Sequence, residues 1–80
     1  MTGTGHHVDT TAKLVTMANQ IARNLTHEKD PVAAVADHIK AFWTVRMQEQ
    51  LFAHGPDGLA ALAIAALERL ALGYRAHDVA

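Results

Sequence analysis

From Leu14 onward the apolar residues recur as Leu14, Ala18, Ile21 and Leu25. This i, i+4, i+7, i+11 spacing lines one face of a helix. Asp9, Thr10 and Thr11 are its candidate caps. The run from Asn24 to Pro31 breaks that period, and Asp30-Pro31 is the usual pairing of an N-cap with a first helical residue. A second helix therefore starts near Pro31 with the stripe Val32, Val35, Ala36, Ile39, Phe42 and Trp43. Thr44 then caps a short third helix carrying Met47 and Leu51, which makes the connection between the two very tight. Gly55-Pro56-Asp57-Gly58 is a turn cluster. From Leu59 to Leu72 only Glu68 and Arg69 are polar, and Gly73 suits a C-terminal cap with positive φ. Alternating β-branched runs are absent, so the sequence predicts an all-α fold, a small bundle of about four helices. The expected helical domain covers residues 11–73, with flexible tails at 1–10 and 74–80.

The last helix has more apolar surface than three short helices can wrap. With Leu59 at the centre of its stripe, Leu62, Ala63, Ala66, Leu67 and Leu70 fall on one side, while Ile64 and Leu72 project away. A helix apolar all round is normally buried all round, and a stretch of about 14 residues falls short of the roughly 20 that span a bilayer. A protein partner is the economical explanation. The plainer one is that Ile64 and Leu72 are ordinary exposed aliphatics on a helix of good helix formers.

Composition narrows the choice. The chain has 80 residues, 50% of them hydrophobic, and a formal charge of -1. A chain of this length hides only about 60–65% of the surface its unfolded form exposes, so its own core is thin. Seven Lys and Arg against eight Asp and Glu, with no basic stripe, argue against a nucleic-acid reader. Cysteine is absent, which excludes disulfides, a thiol nucleophile and thiolate metal or cluster sites, and fits a cytoplasmic location. The N-terminal residues resemble neither a signal peptide nor a membrane span.

Little in the chain suggests chemistry. His38 follows Asp37 directly, and neighbours on a helix point about 100° apart, so they cannot form an acid-base pair within one turn. His38 instead sits one turn before Phe42, at the edge of the apolar stripe. Asp37 and Lys40 have the spacing of a surface ion pair. Arg46, close to Trp43 in sequence, is placed either to stack on the ring, to clamp a carboxylate or simply to be solvated. Asn19 is less favourable in mid-helix than Ala or Leu, which suggests a hydrogen bond to a neighbouring helix or partner. Serine is absent, and there is no phosphate loop or carboxylate pair. A self-contained active site is not expected.

Three blocks carry a family resemblance: Leu14-Val15-Thr16-Met17-Ala18-Asn19-Gln20-Ile21-Ala22; Val35-Ala36-Asp37-His38-Ile39 running into Phe42-Trp43-Thr44-Val45-Arg46-Met47; and Leu51, His54 and the leucine-rich end from Gly58 to Leu70. Over most of its length the chain resembles the delta subunit of soluble NAD-dependent formate dehydrogenase. Two positions depart, since the family often has Asp-Pro where Thr44-Val45 stands and a Pro near Ala61. The resemblance implies a non-catalytic accessory subunit of a cytoplasmic oxidoreductase complex. Its partners would be a large catalytic subunit with a bis-pterin molybdenum or tungsten centre, and flavin and iron-sulfur subunits that pass electrons through FMN to NAD. This chain would hold no cofactor or metal and would have no catalytic residues, no nucleic-acid partner and no membrane. Its expected role is to bind the large subunit and support assembly, stability or cofactor insertion.

The residues expected at the joint or the partner face are Asn19, Asp37, His38, Trp43, Arg46, Ile64 and Leu72. The rival reading is a free-standing helical adaptor, or a homodimer that buries the Ile64 and Leu72 side against itself.

Overall fold

A computed structural model describes residues 10–79, with side chains described through Tyr74; the candidate cap Asp9 and most of the expected N-terminal tail lie outside this range. Four helices account for the fold: α1 (Thr10–Asn24), α2 (Pro31–Phe42), α3 (Val45–His54) and α4 (Ala61–Val79). No strand forms among the described residues. Helix α4 lies along α2, and α1 packs against all three others.

Local chemistry sets most of the boundaries. Helix α1 buries Leu14, Ala18 and Ala22, an i, i+4, i+8 ridge, with Ile21 and Leu25 only partly covered. Beyond its end the Thr26 hydroxyl lies 2.9 Å from the carbonyl of Ala22 and 3.0 Å from that of Arg23, occupying acceptors that the helix terminus leaves open. Asp30 caps α2, its carboxylate accepting from the Ala33 N–H at 3.2 Å, with Pro31 at the first helical position. The same carboxylate meets Nη2 of Arg69 on α4 at 3.7 Å, an exposed pair of small energetic weight.

The α2–α3 joint is two residues long. Trp43 closes α2 through its N–H to the Ile39 carbonyl at 2.9 Å, in extended backbone conformation. Thr44 then caps α3, its hydroxyl accepting from the Met47 N–H at 3.1 Å. Trp43 and Thr44 thus make the whole of the tight joint. The Trp43 ring, 6% exposed, joins Val35, Ile39, Leu51 and Leu70 in the core.

Helix α3 ends at Gly55, where φ is +85° and the N–H points to the carbonyls of Leu51 and Phe52 at 3.2 Å. Across the following turn Nε2 of His54 lies 2.8 Å from the carbonyl of Asp57, and Gly58 also takes a positive φ of +80°. Helix α4 buries Ala63, Ala66, Leu67 and Leu70, the expected stripe, with Leu62 half-buried beside them.

Two expectations need correction. Gly73 does not cap α4. The helix runs through it to Val79, so residues 74–79, read from the sequence as a tail, are helical. Contacts made by the next residue explain why: Tyr74 hydrogen-bonds Gln48 and meets the Phe52 ring edge-on at a centroid distance of 6.4 Å, and these anchors outweigh the low helix propensity of one glycine. Phe42 does not join the core stripe. It is 73% exposed, because Trp43 next to it takes the inward position at the end of α2.

Candidate partner-docking surface

The seven residues expected to reach a partner divide by environment. Asn19 is half-buried and serves the fold. Its amide nitrogen donates to the Gly58 carbonyl at 3.0 Å, and its oxygen accepts from the Ala60 N–H at 2.8 Å. The Ala60 carbonyl in turn accepts from Ile64, the first bond of α4, so Asn19 supplies from α1 the side-chain cap that alanine cannot. Trp43 is core.

His38 and Phe42 form the main exposed aromatic feature. The imidazole is half-buried and lies against the Phe42 ring, with centroids 4.7 Å apart and planes tilted by 41°. Together with Met17, Ile21, Trp43 and Met47 they line an open groove between α1 and the α2–α3 joint. Met17 is 40% exposed there, and Val45 on the neighbouring turn is 64% exposed. Arg46, at the start of α3, is exposed and has neither a ring contact nor a carboxylate partner among the described residues.

Asp37 and Leu72 belong to a different cleft, between α2 and α4, which also includes Lys40, Arg69 and Tyr74. Leu72 is 60% exposed. Among the described residues Asp37 and Lys40 form no ion pair, despite their spacing. Ile64 is half-buried and lines a third, largely apolar cleft with Phe52, Pro56, Leu59 and Leu67. The structure therefore brings His38 and Trp43 together at one groove, sets Asp37 beside Leu72 at another, and leaves Ile64 apart.

Sequence reasoning missed Gln48. It is 2% exposed, donates from Nε2 to the Trp43 carbonyl at 3.2 Å, and accepts the Tyr74 hydroxyl proton at Oε1. Its position gave a signal, four residues after Thr44 and three before Leu51, on the apolar face of α3. An amide there needs buried partners.

The chain has no cysteine, and among the described residues no group of three His, Asp or Glu side chains could hold a metal ion. No helix among them is long and apolar enough to cross a membrane.

The family model of the NADH-dependent formate dehydrogenase delta subunit, FdsD, matches residues 13–68. The chain belongs to this family. The matched span takes in α1 to α3 and the first part of α4, and so includes the Asn19 clamp, the α2–α3 joint and Gln48. No match is found among curated proteins or among solved structures. The chain is thus a delta-type subunit of a formate dehydrogenase.

Proposed function

We propose that this delta subunit is non-catalytic and works in the cytoplasm by docking on the large molybdenum- or tungsten-containing subunit of its formate dehydrogenase. There it supports assembly, stability or insertion of the metal cofactor, while the flavin and iron-sulfur subunits carry electrons to NAD. The observation that supports docking is the uncovered apolar surface of so small a chain. Phe42, Val45 and Leu72 are each 60% exposed or more, although the chain has a core of its own and folds around Trp43. Met17 and Phe42, 40% and 73% exposed, line one groove, and exposed apolar side chains gathered in one place commonly mark an interaction site.

The test is to delete the subunit and purify the remaining complex. The expected result is a lower yield or a lower metal content, with turnover per loaded centre nearly unchanged. Normal yield and metal content with a proportionate fall in turnover per loaded centre would contradict the proposal.

A further inference from the structure

We infer that the apolar cleft between α3 and α4 receives one bulky apolar side chain of the large subunit, and that a lysine or arginine of the same segment pairs with Glu68. This rests on the docking reading above and adds to it one contact and the chemistry of its occupant.

The cleft is held in shape from several sides. The buried Leu51 and Leu67 line it together with the half-buried Phe52, Leu59 and Ile64. The Phe52 ring is braced edge-on by Tyr74. The turn that closes one end is tied at three points. The Leu59 N–H donates to the Pro56 carbonyl at 3.0 Å, Nε2 of His54 lies 2.8 Å from the Asp57 carbonyl, and Asn19 holds Gly58 from α1 at 3.0 Å. A cleft already ordered costs less to fill than one that must order on binding.

Its size selects the kind of occupant. The cleft offers about 200 Å³, below the roughly 300–1,000 Å³ of small-molecule and cofactor sites. That suits a single anchoring side chain, the unit that carries most of the energy of a protein interface.

The sign of the flanking charge comes from Glu68, the one charged residue that lines the cleft. It is exposed, and the positions one turn away on either side, Ile64, Ala65, Ala71 and Leu72, are all apolar. The two neighbours able to carry positive charge are engaged elsewhere. Arg69, about 100° further round the helix, reaches Asp30 of α2 at 3.7 Å, and His54 has its Asp57 contact. Glu68 forms no ion pair among the described residues. A carboxylate on the rim of an apolar cleft complements a cation beside an apolar anchor, and such complementarity fixes register.

The experiment measures affinity of the full chain for the purified large subunit by sedimentation, with circular dichroism confirming each fold. Glu68→Lys is compared with Glu28→Lys, which changes net charge equally but lines none of the clefts. The expected result is at least about tenfold weaker binding for Glu68→Lys, an intermediate loss for Glu68→Gln and a change within about threefold for Glu28→Lys. Ala71→Trp, which fills the cleft from α4, should weaken binding at least about tenfold as well. The Glu68 variants alter an exposed side chain and decide the matter if Ala71→Trp fails to fold. Unchanged or tighter binding by Glu68→Lys would overturn the inference and leave docking intact, whereas no binding by wild type would overturn docking itself. If Ala71→Trp converts a dimer of this chain to monomer without changing affinity for the large subunit, the cleft holds a second copy and the inference fails.

Discussion

Asn19 and Ala60, 41 residues apart in sequence, are joined by a 2.8 Å hydrogen bond from the Ala60 N–H to the Asn19 side-chain oxygen. The bond ties the middle of α1 to the first turn of α4, and the amide nitrogen holds Gly58 from the same side chain. Asn19→Ala removes both contacts and should cost about 1–2 kcal/mol in chemical denaturation, the range of a lost helix cap. Asn19→Asp keeps the acceptor for Ala60 and places negative charge near the start of a helix, so its loss should be smaller.

The two glycines should respond with opposite signs. Gly58 has φ of +80°, and a Cβ there would meet Cγ1 of Val15 at an ordinary 3.5 Å, so Gly58→Ala is penalised by its backbone, by about 1–2 kcal/mol. Gly73 is helical with nothing within 4 Å of an added Cβ. Gly73→Ala should therefore stabilise by about 0.5–1 kcal/mol and raise Tm. A fall in Tm would restore the C-cap expected from sequence.

Trp43 and Phe42 are adjacent but should behave differently. Trp43→Ala should cost about 3–5 kcal/mol and broaden or abolish the thermal transition seen by circular dichroism. Phe42→Ala, at a side chain 73% exposed, should change stability by less than about 1 kcal/mol. The sequence left Trp43 open as core or anchor and placed Phe42 in the stripe. Which of two neighbouring aromatics turns inward depends on how α2 ends, and periodicity does not specify the last turn.

Gln48 and Tyr74 should be coupled. Tyr74→Phe removes the hydroxyl that Gln48 Oε1 accepts, at an expected cost of about 0.5–1.5 kcal/mol. A double-mutant cycle with Gln48→Met should show non-additivity of about 0.5 kcal/mol or more. Additive losses would mean that the two side chains act separately.

The legible and illegible parts of this chain divide by range. The starts of α2 and α3 follow from Asp30-Pro31 and Thr44, whose capping bonds span three residues. The turn after α3 follows from Gly55 to Gly58. Asn19 was visible only as an awkward helical residue, because its partners are 39 and 41 residues away. The length of α4 was misread at Gly73 for the same reason: a local stop signal is overridden by Tyr74 reaching α3. Of the expected docking residues, the sequence marked His38, Arg46 and Leu72 as unusual, but the placing of His38 and Leu72 in two different clefts depends on packing that no local pattern records.

The most direct measurement for the central claim is sedimentation velocity of this chain mixed with the purified large subunit of its formate dehydrogenase. The account predicts that the chain co-sediments with the large subunit as a stable heteromer and leaves no free species at equimolar ratio. A chain that sediments alone, as monomer or as dimer, at every ratio tested would contradict it.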